Sequence, residues 1–144
     1  MKTRMLLSVC LLAVGMAFTA DLNGAETRSD SPGATAKQFL DAFIKLDLDT
    51  CVALSHGKMK DDAKEIGKSL APLKESAAKG DEDSAFMLKT MQEEGGKQKR
   101  TVKSEKINGN TAEVVAVYTA DGKTKTEKIF LEKIDGKWKV TDIK

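Results

Sequence analysis

Three Asx-Gly pairs, Asn108-Gly109, Asp121-Gly122 and Asp135-Gly136, recur thirteen and fourteen residues apart near the end of this 144-residue chain. Such pairs supply the positive backbone angles that two-residue hairpin turns demand. From Lys97 onward apolar and polar residues alternate with the period of a strand. Together the two signals predict strands at about 98–107, 110–120, 123–134 and 137–143, each antiparallel to the next. A segment patterned this way folds as a meander.

The turns also set the pairing. With Asp135-Gly136 at one tip, Leu131 faces Val140 and Lys133 faces Trp138. With Asp121-Gly122 at the other, Ala112 faces Leu131, Val114 faces Ile129, Ala116 faces Glu127 and Tyr118 faces Lys125. Cross-strand partners share a face, so both hairpins select one apolar set: Ala112, Val114, Ala116, Ile129, Leu131, Trp138 and Val140. That face is expected to lie under the helices. A two-residue turn at Asn108-Gly109 would bring Thr101 and Lys103 onto it, whereas a three-residue loop over 108–110 brings Val102 and Ser104. The longer loop is preferred, because a one-residue slip moves every side chain to the other face. Val115, Val117, Phe130 and Ile143 form a second apolar stripe on the opposite face. Two readings fit it: a partner or homodimer surface, or scattered surface aliphatics.

The preceding residues have helical periodicity. Ser31-Pro32 reads as an N-cap followed by proline at the first helical position. Ala36, Phe39, Leu40, Phe43 and Leu46 then make one apolar face. Residues 47–49 break and re-cap the chain before a short helix carrying Cys51, Val52 and Leu54, with Gly57 as its C-terminal cap. A third helix is expected from Asp61 or Asp62, kinked or split at Pro72. A fourth runs from 81–83 to a stop at Gly95-Gly96. Helices followed by an antiparallel meander make the class α+β.

Residues 1–20 read as an export signal: Lys2 and Arg4, an apolar run over 5–14, then small residues, with a cut expected between 17 and 25. That run is too short to span a bilayer, which takes about 20 residues. Lipidation at Cys10 is disfavoured, because Cys10 lies inside the apolar run and Val9 precedes it. Residues 21–30 read as a disordered leader, and 31–144 as a single domain. Loss of Lys2 and Arg4 takes the formal charge from +2 to zero and leaves Cys51 as the lone mature cysteine, so no intramolecular disulfide is expected.

These residues carry a resemblance. An exported Ser-Pro-initiated helix with Phe39-Leu40 and Phe43, then Asp47-Leu48-Asp49, precedes a meander ending in Asp135-Gly136-Lys137-Trp138-Lys139-Val140. The pattern resembles the nuclear transport factor 2-like superfamily, the cystatin-like α+β roll, and within it small bacterial exported domains labelled lumazine-binding-like. The resemblance covers about residues 31–144. It implies helices on one face of a curved four-stranded sheet, a cone with a pocket at its open end, and sheet-mediated dimers. It implies no particular chemistry, because one fold hosts many functions.

Several function classes are set aside. Aromatics at 5% leave few platforms for stacking bases or sugars, and the small net charge points away from nucleic acid. One His and one mature Cys do not build the usual metal-ligand sets, so neither metal nor cofactor is expected. Gly95-Gly96 lacks the lysine and following helix of a phosphate loop. Cys51 and His56, five residues apart on a helix, would stand about 140° from each other. His56 is placed at a helix C-terminus, where the dipole favours it. Met87 and Met91 are expected in the core.

The remaining candidate pocket is Tyr118, Lys125, Glu127 and Asp142, with Asp142 facing Ile129 beyond the apolar part of the covered face. Within the resembling superfamily a tyrosine and acids lining the cone serve isomerases and dehydratases. The competing and preferred reading is a sheet end whose ions sit in water, so no residue is assigned as catalytic. The expected function is a periplasmic or secreted, non-catalytic domain that binds a small ligand or a protein partner. Its alternatives are an isomerase- or lyase-type enzyme and an assembly protein dimerising through the outer stripe. Charge is split along the chain: residues 21–96 carry a net of −5 and residues 97–144 a net of +5. Either the two layers attract weakly through solvent, or the exposed sheet face favours an anionic partner.

Overall fold

The computed structural model describes residues 30–144 and the backbone of Ala20–Asp21. Apart from the backbone of Ala20 and Asp21, the expected export signal, Cys10, the rest of the range 17–25 for the cut and the leader up to residue 29 lie outside the described residues. In chain order come strand β1 (Ala20–Asp21), helices α1 (Pro32–Ile44), α2 (Leu48–Leu54), α3 (Gly57–Ala78) and α4 (Glu82–Lys97), then strands β2 (Thr101–Asn108), β3 (Thr111–Ala120), β4 (Lys123–Ile134) and β5 (Lys137–Ile143). The helices pack on one face of an open antiparallel sheet ordered β1-β2-β3-β4-β5. The α+β helices-then-meander expectation holds. One addition is β1, two residues that pair with Ser104 and Glu105 on the outer edge of β2.

The two later hairpins fold as their turn residues demand. Asp121 and Gly122 take φ of 53° and 70°, and Asp135 and Gly136 take 50° and 78°, the doubly positive pattern of a type I′ turn. Val114 lies opposite Ile129, and Leu131 opposite Val140. All seven residues assigned to the covered face are buried, four of them completely: Val114, Ala116, Ile129 and Val140. They meet Ala36, Phe39, Leu40 and Ala42 of α1, together with Leu48 and Cys51 of α2, in one core.

Two bulges change which residues face the helices. Between Phe130 and Leu131 the register with β5 shifts, so Phe130 pairs with Asp142 and Ile129 with Ile143. Thr141 is the extra residue, and its hydroxyl donates to the Phe130 carbonyl (3.2 Å). The expected Asp142–Ile129 pair is therefore incorrect. Asp142 turns to the outer face and Ile143 packs against the core. Without the bulge a carboxylate would stand in the core and an isoleucine in water, and that difference drives the irregularity.

The second bulge is at Lys103. The first hairpin turns on Gly109-Asn110, with Asn108 paired to Thr111 and Gly109 alone at positive φ (59°), rather than on a three-residue loop. Val102 reaches the covered face opposite Ala116, as expected. Ser104 does not: it pairs with Val115, and Glu105 takes the inward position opposite Val114. The Glu105 carboxylate accepts the Gly33 amide at the start of α1 (2.7 Å). A negative group there meets the positive end of the helix.

The helices depart from expectation at three boundaries. Ser31 caps α1 as expected, accepting from the Ala34 amide (3.0 Å), and Asp47 caps α2 through Thr50. However, α2 ends at Leu54, and Ser55 and His56 are extended. The His56 amide donates to the Val140 carbonyl (2.9 Å), pinning the junction to the edge of β5. His56 is consequently the N-cap of α3, without a side-chain capping bond, and not a C-terminal residue; Gly57 opens α3 rather than closing α2. Second, of the kink or split expected at Pro72, the split does not occur: α3 continues through it as one element. Pro72 and Lys68 are both exposed, so the carbonyl deprived of its donor faces solvent. Third, α4 runs through Gly95-Gly96 to Lys97, with Asp81 as its N-cap. At Gly95 an added Cβ would meet Ile44 at 3.5 Å, an ordinary van der Waals contact. Met87 and Met91, expected in the core, are 54% and 40% exposed.

Candidate functional site

The C-terminus of α1 organises an apolar cleft. Leu46 adopts φ of 57°, unusual for a residue with a branched side chain, and turns the chain from α1 into α2. Two long side chains hold that turn: Lys74 of α3 donates to the Leu46 carbonyl (2.8 Å), and Gln92 of α4 to the Lys45 carbonyl (2.9 Å). Between these supports lies an open cleft of about 750 Å³. Phe43, Ile44, Leu46 and Leu48 form one wall, Ile66 and Leu70 of α3 a second, and Met91 and Gly95 of α4 a third. Phe43, whose ring stacks on Phe39, stays 41% exposed because it faces this space. Asp62, Glu65 and Ser69 line it from α3, and Gln98 and Arg100 from the segment leading into β2.

Arg100 joins the cleft to the residues singled out in the sequence. Its Nε and Nη2 donate to the two carboxylate oxygens of Glu127 at 2.7 and 3.0 Å, a bidentate pair with both side chains mostly covered (16% and 17% exposed). Its guanidinium lies over the Tyr118 ring, 4.6 Å from the centroid. Tyr118 and Glu127 are thus brought together, by a third residue, and they support a cleft residue rather than line the cleft themselves. Lys125 is Tyr118's cross-strand partner, exposed and outside the cleft. Asp142 lies on the other face of the sheet, where Lys144 approaches it at 3.2 Å. Arg100 was not singled out because no motif marks it. The register offered the signal, since Val102 opposite Ala116 carries residue 100 to the level of residue 118.

The arrangement limits the chemistry of this set. A tyrosine–carboxylate acid–base pair needs a carboxylate free to move a proton. Both oxygens of Glu127 are engaged by Arg100, and no hydrogen bond joins Tyr118 to Glu127 among the described residues. Cys51 is fully buried, and desolvation pushes its thiol up to about 11, which keeps it protonated and unreactive near neutral pH. Hydrogen bonds from Thr50 and Ser84 hold the Asp47 and Asp81 carboxyls below their ordinary value, as befits helix caps. Among the described residues no group of three or more His, Cys, Asp or Glu is placed to hold a metal ion. No described helix is long and apolar enough to cross a membrane.

The outer stripe is smaller than the sequence suggests. Val115, Val117 and Phe130 share the outer face and are half-buried, while Ile143 has moved inward. The Lys144 ammonium sits 5.1 Å from the Phe130 ring centroid.

In comparisons with known proteins, the model of one family, a domain of unknown function (DUF4878), matches residues 24–141. No curated protein and no solved structure matched the chain.

Proposed function

We propose that this chain, which belongs to the DUF4878 family of domains of unknown function, is a non-catalytic domain that binds a small apolar-bodied ligand in the α1–α3–α4 cleft. The observation that carries this reading is the cleft itself. Its volume of about 750 Å³ falls within the range of small-molecule sites, roughly 300–1,000 Å³, and its walls are chiefly aliphatic and aromatic with a few polar groups, as such sites are. The engagement of Glu127 by Arg100 weighs against the lyase-type alternative.

The setting proposed for this binding is the cell envelope or the exterior. Lys2, Arg4 and the apolar run over 5–14 support export. The Ser31-Pro32 helix start and the Asp-Gly-Lys-Trp end of the meander support membership of the nuclear transport factor 2-like superfamily, whose pockets serve binding as well as catalysis.

A neutral fluorophore, N-phenyl-1-naphthylamine, tests the reading without involving charge. Its emission should rise and shift to the blue on saturable binding, and Ser69→Trp, a surface substitution that fills the cleft mouth, should abolish the signal. An unchanged emission, or binding indifferent to Ser69→Trp, would refute it.

A further inference from the structure

We infer that the cleft selects an amphipathic cation, an apolar body bearing one amine or quaternary ammonium group, over the corresponding anion. The inference rests on the binding reading above and adds the charge class of the ligand. An arginine at the end of an apolar cleft suggests a carboxylate or sulfate ligand, but the charge on Arg100 is already matched. Glu127 takes its Nε and Nη2, the Gln98 carbonyl lies 3.4 Å from Nη1, and the Tyr118 ring covers one face. An anion arriving there would compete with a bidentate partner held by β4, and would meet that partner's own charge.

The other charged lining residues point the opposite way. Asp62 is paired with Lys58 at 2.7 Å. Glu65 carries no ion pair among the described residues, which leaves it as the uncompensated charge on the cleft wall. The helix-end carbonyls of Lys45 and Leu46 are covered by Gln92 and by Lys74, whose ammonium supports the turn but is not among the residues that line the cleft, so the lining side chains decide the sign. A ligand whose apolar body lies between Phe43, Ile66 and Leu70 would bring a cationic head to Glu65 at the solvent edge. An exposed pair of this kind is worth about two- to five-fold in affinity.

Calorimetric titration of the full chain with decyltrimethylammonium and with decyl sulfate, below their micelle concentrations, reads this selectivity. The ammonium probe should bind about two- to five-fold tighter at low salt, with the ratio shrinking as salt screens the pair. Glu65→Gln should bring the two affinities together. Glu127→Gln, which weakens the hold on Arg100, should shift preference toward the sulfate. Equal affinities in the wild-type chain, or tighter sulfate binding, would overturn the charge assignment while leaving the cleft as a site. Failure of both probes and of the neutral fluorophore would overturn the site itself. If Glu127→Gln does not fold, the Glu65→Gln comparison decides alone.

Discussion

Replacing Ile143 and Asp142 by alanine, one at a time, measures the bulge that exchanges their faces. Ile143 lies opposite Ile129 and packs against the core, half-covered rather than fully enclosed. Full burial makes an Ile→Ala change cost about 2–5 kcal/mol, so half coverage places Ile143→Ala near roughly 1–2.5 kcal/mol. Asp142 contributes a hydrogen bond from the Ile143 amide (2.9 Å) and an exposed pair with Lys144. Those are worth at most about 1 kcal/mol. Against a total stability of about 5–15 kcal/mol for a domain of this size, the two variants are readily separated by urea unfolding. With a slope of roughly 1.5 kcal/mol per molar, Ile143→Ala should lower the midpoint by about 0.7–1.7 M at unchanged slope. A negligible loss for Ile143→Ala together with a gain in stability for Asp142→Ala would mean that β5 runs without the bulge, with an inward carboxylate whose removal relieves a desolvation cost.

Three further outcomes follow from local features. Gly96 is helical with nothing near its Cβ position, so Gly96→Ala should stabilise the domain by about 0.5–1 kcal/mol; destabilisation would restore the glycine pair as a helix stop. The Cys51 thiol should resist Ellman's reagent near pH 8 and react only as the chain unfolds, and rapid stoichiometric labelling of native protein would contradict its burial. Its folded pKa of about 11 lies above the ordinary value of 9.0, so the folded state holds its proton where the unfolded thiol has lost it. Stability from this group should be intact below about pH 9 and decline toward pH 11. Asp81 behaves oppositely: its lowered pKa gives stability present above the ordinary carboxyl range and lost as pH falls through the lower folded value. Asp81→Ala should therefore depress the melting temperature near neutral pH and match the parent in strong acid, and a constant difference would contradict the cap.

The meander was legible because local chemistry dictates it. Asp121-Gly122 and Asp135-Gly136 admit few backbone solutions, and the alternation around Val114 and Ile129 leaves one burial pattern. The bulges at Lys103 and Thr141 were not, because they answer to burial across the whole sheet. Only with the helices in place is it costly for Asp142 to point inward. The same holds for Glu105, whose inward turn is matched by the Gly33 amide far away in sequence. Gly95-Gly96 reads as a helix stop from residue type alone, whereas α4 continues through both glycines to Lys97. Tyr118 and Glu127 were found from their registers, while Arg100, inside the strand expected at about 98–107, lies just before the observed start of β2 at Thr101 and carries no motif. The cleft stayed hidden because Phe43, Ile66 and Met91 look like core residues; only their packing leaves them open.

Amide shift mapping with N-phenyl-1-naphthylamine tests the central claim most directly, since an aromatic ring perturbs every amide it approaches. The perturbed amides should cluster at the end of α1 and start of α2, along 62–70 of α3, and at 91–100. Shifts confined to the outer sheet face around Val115, Val117 and Phe130, or no specific shifts at saturating probe, would contradict the assignment of the cleft as the binding site.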